Sequence, residues 1–293
     1  MKPQNTPVVV TGSAAQVPPE IASQLGIVIL PLVIIVEGKE YLDGIDLFPG
    51  ELYQKMRTQK IEVKTAAPNV GQYYACFKRI IDQQESDVLC ISLSGKLSSD
   101  YTAAVDAAKM LSGEYPRNKV TVIDSLRAAA PQGLLAVEAA KRLRAGETIE
   151  DVVQYLMDAR HRSGLIAALD SLDYLAQGGR IGKAAYLVGS VLQIVPILTI
   201  DDEGIVMPST IIRKKEKIIP GILSILAKET PGFTKLGLSV MHADAVEEAE
   251  VLRQSLKELY PTLDIPIGEF TPVMGAHAGP GLIGLGYFFE KDK

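Results

Sequence analysis

The chain is predicted to be an α/β protein of two domains. The first is a Rossmann-like α/β/α domain with a parallel sheet (residues 1–163). The second is an α+β domain with a mixed or antiparallel sheet (residues 164–293). Three observations predict this. At about 150 residues per domain, 293 residues suggest two. The first half alternates short β-branched runs with helical patterns, the signature of βαβ units. The second half mixes hairpin signals with helices, which indicates α+β architecture.

The elements follow in order. Val8–Thr11 reads as a strand, and Pro18, Pro19 and Glu20 suit a helix start with Gly26 at its end. Residues 27–36 form one or two strands around Pro31. Tyr73, Phe77, Ile80 and Ile81 recur at helical spacing within 72–83. Residues 88–93 and 120–125 are strands, followed by helices over 99–112 and 132–145. Thr148 opens a further helix with Asp151 as its box-like partner. In the second half, 165–170 is a strand, and the turn Asp201–Gly204 joins two strands into a hairpin. Residues 213–228 look helical, with Pro220 a candidate break. Residues 236–242 form a strand. Asp244 and Glu247 read as a box capping a helix to about Tyr260, with an apolar stripe of Val251, Leu252, Leu256 and Leu259. Residues 265–270 and 284–290 close the chain as strands.

Composition excludes several classes. Apolar residues make up 47% and charged residues 22%, so a core can form and wholesale disorder is ruled out. The net charge of −5 is opposite to that of a typical nucleic-acid-binding or anionic-membrane protein. Cys76 and Cys90 allow at most one disulfide and lack zinc-type spacing, which points to the reducing cytoplasm. The opening residues do not read as a secretory signal. Residues 27–36 are too short to span a bilayer, which needs about 20 residues. Residues 184–200 are interrupted by Gln193 and Pro196 and read as a buried helix followed by a strand. No catalytic residue, metal site or cofactor is assigned.

Candidate chemistry concentrates in a few segments. Residues 279–284 (GPGLIG) match G-x-G-x-x-G, but only nine residues follow and Pro280 lacks a donor, so no dinucleotide site is expected. The glycines at 275, 279, 281, 284 and 286 instead mark positive φ or close approach. His277 lies in this run, which reads as a loop; a lone histidine there is more often structural, but the glycines around it let a ligand approach the imidazole closely. His161 and His242 read as surface or structural. Arg180, after Gly178 and Gly179, is either a solvated residue beyond a helix C-cap or an anion-binding arginine on a tight loop. Hydroxyl-bearing segments recur at 11–13, 64–69, 96–101 and 123–125, read as strand ends. In open parallel sheets, ligands bind beyond the carboxyl ends of strands. Ser13 and Ser125 enter the candidate set on that ground. A hydrolase pairing of Ser98 with His277 and Asp100 lacks the G-x-S-x-G elbow.

These segments, in this order, resemble the DegV family of bacterial lipid-binding proteins. The strand-end TGS (11–13), residues 28–46, Thr65-x-x-Pro68, KLSSDYTAA (96–104) and VIDS (122–125) carry the resemblance. So do LDSLDYLAQGGRIGKAA (169–185), VPILTIDDEG (195–204) and GAHAGPGLIGLGYF (275–288). The resemblance implies a long-chain fatty acid in a tunnel between two domains. It also implies a carrier role for a separate fatty acid kinase, which phosphorylates the bound carboxylate to acyl phosphate for phospholipid synthesis. The carboxylate-binding group falls on Thr65, Ser98 and His277, with Gly275 in the same closing motif. Arg180 and Arg213 are implied in kinase docking or anion stabilisation. An unpaired carboxylate in an apolar tunnel is costly, and hydroxyl and imidazole donors can satisfy it. A sixteen-carbon tail offers roughly 10 kcal/mol, at about 0.8 kcal/mol per CH₂, before binding costs.

Some positions depart from the family pattern. Gly12 replaces an acid, Ala66 and Ala67 replace polar residues, Asp100 replaces a threonine, and Val195 replaces a lysine. Asp100 facing a head group would repel a carboxylate by roughly 3 kcal/mol at 5 Å and an effective dielectric near 20; otherwise it points to solvent. Hence the alternative reading of a carrier for an amphiphile with a non-carboxylate head group. A third reading, an enzyme for a small substrate, requires a polar pocket. No nucleic-acid partner is expected, and transient membrane contact is compatible with lipid pickup.

Overall fold

The computed structural model describes residues 6–189 and 194–291. In chain order the elements are β1 (Val8–Gly12), α1 (Pro19–Leu25), β2 (Val28–Leu30), β3 (Val33–Val36), β4 (Lys39–Leu42), α2 (Pro49–Thr58), β5 (Val63–Ala66) and α3 (Val70–Gln84). Then come β6 (Val88–Ser92), α4 (Asp100–Glu114), β7 (Val120–Asp124), α5 (Ala130–Arg144), α6 (Ile149–Ala159), β8 (Ser163–Ala168) and α7 (Asp173–Gln177). The chain continues through β9 (Val195–Ile200), β10 (Val206–Ile212), α8 (Ile218–Glu229), β11 (Lys235–His242), α9 (Val246–Leu259), β12 (Ile267–Glu269), α10 (Pro272–Ala278) and β13 (Ile283–Glu290).

The strands form three sheets. A four-stranded parallel sheet has the order β2-β1-β6-β7, and a six-stranded mixed sheet the order β10-β9-β8-β13-β11-β12. The predicted α/β class and its parallel first sheet are therefore present. Strands β1 and β6 are buried along their whole length, as parallel strands covered on both faces must be. The third sheet, β4-β3-β5, is antiparallel and was not anticipated. The apolar run 27–36 is divided at Pro31 and Leu32: β2 joins the parallel sheet and β3 the antiparallel one. Among the described residues, no strand before Ser163 pairs with one after it.

Several elements form for the reasons anticipated. The buried face of α3 is Tyr73, Cys76, Phe77, Ile80 and Ile81, and Asn69 and Gln72 close a capping box at its start. Thr148 caps α6 by accepting from the Asp151 backbone N–H. The hairpin β9–β10 turns at Asp201–Gly204 as expected, with a bulge between Pro208 and Thr210. Pro220 does not break a helix; it sits in the first turn of α8, where its missing N–H has no intrahelical partner to lose.

Other expectations are corrected. Asp244 does not cap α9: its φ is +51°, and its carboxylate and carbonyl receive Arg57 from α2. The buried face of α9 is Ala249, Leu252 and Leu256, while Val251 and Leu259 are exposed, so the stripe lies about one residue off the predicted line. The start of 184–200 is not a buried helix. Residues 182–187 form a short 3₁₀ turn with Tyr186 72% exposed, residues 190–193 lie outside the described residues, and the strand begins at Val195.

The two halves pack closely. Gly286, in the middle of β13, would bring a Cβ to 2.6 Å from Ala130 Cβ, so only glycine lets the start of α5 rest on this sheet. Arg127, buried beyond β7, donates to the carbonyls of Ser163 (2.7 Å) and Asp201 (2.7 Å). Ser94, just after β6, donates to the Gly204 carbonyl at 2.9 Å.

Candidate functional site

The carboxyl ends of β1 and β6 and the turn after β7 face the second half of the chain across an apolar cavity. The cavity measures about 380 Å³, within the usual range for small-molecule sites. Ala14, Leu93 and Ala128 line it from the first half, and Leu165, Leu198 and Ile200 from the second. Apolar side chains thus make up most of this cavity's lining.

Polar groups gather at one place: Thr65, Ser98, Arg180 and His277 all line the cavity. Thr65 is delivered by β5, paired opposite Ile34. Ser98 lies in the turn between β6 and α4. His277 sits in the last turn of α10, not in a loop as anticipated. That helix is hard to see in sequence because Gly275 interrupts it. Gly275 is needed there because a Cβ would lie 2.3 Å from the Tyr53 hydroxyl of α2. The closing glycines behave as expected: Gly279 and Gly281 have φ of +73° and +94°, and Gly275, Gly284 and Gly286 make close approaches.

Thr65 Oγ1 and His277 Nε2 are 2.7 Å apart. Burial, and then the nearby Arg180 guanidinium, push the His277 imidazole down to about 4, so the ring is neutral at pH 7. A neutral ring carries one N–H. His277 Nδ1 is buried without a partner, against Gly178, where a Cβ would stand 2.3 Å from it. A proton on Nδ1 would be an orphaned buried donor. On Nε2 it is donated to Thr65 Oγ1, and Nδ1 remains an unfilled acceptor, the less costly defect. The Thr65 hydroxyl hydrogen is then free to point at a ligand. Ser98 is arranged alike: its Oγ accepts the Asp100 backbone N–H at 3.2 Å, leaving its own hydrogen to donate. Arg180 lines the cavity and donates from Nε to the Leu97 carbonyl (3.0 Å) and from a terminal nitrogen to the Gly178 carbonyl (2.5 Å). Both readings of its loop meet here: α7 does end at Gln177, and the arginine beyond it lines the cavity.

The remaining candidates fall elsewhere. Ser13 does not line the cavity; it donates to Asp43 at 2.6 Å and accepts from the Leu32 N–H. Asp43 accepts in turn from Val273 N–H at the start of α10, so Ser13 helps seat the helix bearing His277. Ser125 is buried in a turn with Arg127. Gly275 packs against Tyr53. Arg213 is exposed at the end of β10, outside the cavity. Two of the four hydroxyl-bearing segments therefore place hydroxyls at the cavity, and one of them, 64–69, begins within an antiparallel strand. His161 lies at the surface near Asp202 and His242 is buried with Nδ1 near the Ala245 N–H, so neither approaches the site. Gly178, which seats the imidazole, was legible only as a turn glycine.

Asp100 resolves in a way neither expectation allowed. It faces neither head group nor solvent: it is 0% exposed, accepts from Tyr73 Oη (2.6 Å) and Leu93 N–H (3.0 Å), and does not line the cavity. Burial raises its pKa. A Cβ on Gly12 would come within 4.0 Å of Asp100 Oδ1, so the carboxylate lacking at position 12 lies beside that position, supplied from 100. Ala66 and Ala67 are among the residues that line the cavity, and neither brings a polar side chain. Both cysteines are buried free thiols. Among the described residues, no group of three or more metal-ligating side chains occurs, and no helix is long and apolar enough to cross a membrane.

A parallel α/β sheet facing a mixed sheet across an apolar cavity with a group of polar side chains defines a two-domain α/β protein with an apolar site contributed by both halves. Comparison with known proteins narrows this to a family. The model described as "Uncharacterised protein, DegV family COG1307" matches residues 7–290, and the chain belongs to the DegV family. A DegV domain-containing protein of Halalkalibacterium halodurans is 30% identical over 283 residues, covering 97% of this chain and 98% of the relative. Among solved structures, a fatty-acid-binding DegV family protein from Thermus thermophilus superposes with a TM-score of 0.88 at 26% identity, covering 97% of this chain and all of that one. DegV from Bacillus subtilis, described as a fatty acid binding protein, gives 0.86 at 27% identity, covering 98% of this chain and all of that one.

Proposed function

We propose that this chain binds a long-chain fatty acid, with its tail in the apolar cavity and its carboxylate at Thr65 and Ser98, beside Arg180 and His277. The observation that carries the reading is the pair of hydroxyls. Ser98 accepts from the Asp100 N–H and, with the imidazole proton on Nε2, Thr65 accepts from His277, so that each keeps its own hydrogen for a ligand at the polar end of an apolar cavity. Hydrogen bonds to a charged acceptor are worth about 1.5–3 kcal/mol each. The fatty-acid-binding descriptions of the Thermus and Bacillus relatives support it. Residues 1–163 and 164–293 act as the two domains that enclose the ligand.

The protein serves as a carrier, and a separate kinase acts on the bound acid. A carboxylate oxygen attacks the terminal phosphorus of a nucleoside triphosphate held by that kinase. An acyl C(O)–O–P bond forms as the bridging P–O bond to the nucleoside diphosphate breaks. Arg213, exposed and not among the residues that line the cavity, is available to such a partner rather than to the ligand, whereas Arg180 serves the head end.

A non-carboxylate head group is favoured only by the absence of polar side chains at Ala66 and Ala67, since Asp100 is turned away. Mass spectrometry of an organic extract of the purified protein decides. A stoichiometric C14–C18 fatty acid is expected; another amphiphile, or none, overturns the assignment.

A further inference from the structure

The head site is assembled from three bodies. Ser98 follows β6 of the parallel sheet, Thr65 lies in β5 of the antiparallel sheet, and His277 ends α10 of the second half. One buried carboxylate touches all three bodies. Asp43, just beyond β4, is 3% exposed. Its Oδ2 accepts from the Ser13 hydroxyl just beyond β1 (2.6 Å), and its Oδ1 from the Val273 N–H in the first turn of α10 (2.9 Å). Its own N–H donates to the Leu32 carbonyl (2.9 Å), where the chain leaves the parallel sheet for the antiparallel one. Ser13 Oγ in turn accepts the Leu32 N–H (3.1 Å). Thr271, which precedes α10, makes no side-chain cap, so Asp43 satisfies an orphan donor of that helix from 230 residues away. Tyr53 and Arg57 of α2 also reach the second half, at the Phe270 carbonyl and at Asp244, but those bonds leave the parallel sheet out. Asp43 does not line the cavity. A buried carboxylate is costly unless it is bonded, and the Ser13 and Val273 bonds of this one both cross between bodies.

We propose that Asp43 is a positioning residue for the head site: by tying Ser13 to the Val273 N–H, it sets the spacing between Ser98 and the Thr65–His277 pair without touching the ligand. The inference rests on the carboxylate reading of that site. Both arms of the bridge are of ordinary hydrogen-bond length, so it carries little slack. A hydroxyl displaced by about 1 Å leaves the hydrogen-bonding range of a carboxylate held by its neighbour. Without the bridge the bodies can shift against one another, and a single carboxylate no longer reaches Thr65 and Ser98 together.

The test uses the full chain stripped of lipid. Binding of hexadecanoic acid is measured by calorimetry for the natural protein, Asp43→Ala and Asp43→Asn, each with and without Thr65→Val. Asp43→Ala removes both arms of the bridge and is expected to weaken binding about tenfold, the lower end of what losing a hydrogen bond to a charged group does. Asp43→Asn keeps an oxygen for the Val273 N–H and offers an N–H to Ser13 Oγ, so binding is expected within about threefold of the natural protein. Thr65→Val should cost less in the Asp43→Ala background than in the natural one, because both losses fall on one unit. Unchanged binding in Asp43→Ala, an equal loss in Asp43→Asn, or full additivity with Thr65→Val overturns the proposal; additivity would mean that Asp43 supports stability alone. Where Asp43→Ala does not fold, Ser13→Ala, which cuts one arm, takes its place and is judged by the same additivity. Where the natural protein binds no hexadecanoic acid, the fatty-acid reading falls by itself, and NMR of the His277 nitrogens in the lipid-free chain judges Asp43. A signal moved in Asp43→Ala and restored in Asp43→Asn supports the positioning role; one that stays in place overturns it.

Discussion

If His277 acts through Thr65, the two residues form one unit, and a double-mutant cycle measures it. The perturbations are Thr65→Val, His277→Ala and both together, with hexadecanoic acid as ligand. Thr65→Val removes the hydroxyl that donates to the carboxylate. A hydrogen bond to a charged acceptor is worth about 1.5–3 kcal/mol, so affinity falls about 10- to 150-fold. His277→Ala removes the Nε2–H that fixes this hydroxyl at 2.7 Å, and the hydroxyl then has no reason to present its hydrogen to the cavity. The loss approaches that of Thr65→Val. The double variant should lose little more than either single one, giving a coupling of about 1.5 kcal/mol or more, in the range found for residues in contact. Isothermal calorimetry reads the affinities, and thermal melting checks that each variant folds. Additive losses would refute the reasoning, because they would mean the imidazole touches the carboxylate directly. NMR of the imidazole nitrogens provides a second check, with the proton expected on Nε2.

Three further predictions follow from the same geometry. The folded His277 ionises at about 4 against an ordinary 6.5, so its contribution to stability is full above pH 6.5 and is lost as pH falls towards 4, by about 3 kcal/mol. Chemical denaturation of the natural protein and His277→Gln should show this difference narrowing over that window; a constant difference would contradict a buried neutral ring. Asp100→Asn should destabilise the protein by about 1–3 kcal/mol, because Tyr73 Oη and Leu93 N–H lose an ionic acceptor, yet leave fatty-acid affinity unchanged. A changed affinity would put Asp100 back at the head group. Gly178→Ala, at a backbone conformation alanine tolerates, places a Cβ 2.3 Å from His277 Nδ1. The ring must move, and ligand retention should drop without unfolding; normal retention would show that the ring's position is immaterial.

Pattern alone revealed much of this protein. Strands β1 and β7 were legible because they are β-branched runs and β6 because it is a short, almost wholly apolar run, and α3 because its apolar face repeats at helical spacing. The Thr148 cap was legible because its partner lies three residues away. Thr65, Ser98, Arg180 and His277 were nameable through their motifs. What lay beyond reach was long-range. The antiparallel sheet that delivers Thr65 depends on pairing β5 with β3, some 30 residues earlier, and its edge strands are short and mostly polar. Helix α10 was hidden because Gly275 weakens its local signal; contact with Tyr53, more than 200 residues away, is what requires that glycine. The direction of Asp100 was undecidable from sequence, because a carboxylate at a helix start suits solvent, ligand or core, and only Tyr73 and Leu93 decide among them. The residues determined which chemistry was available. Tertiary packing decided which hydroxyls keep a hydrogen for a ligand and which, like that of Ser13, are spent within the protein.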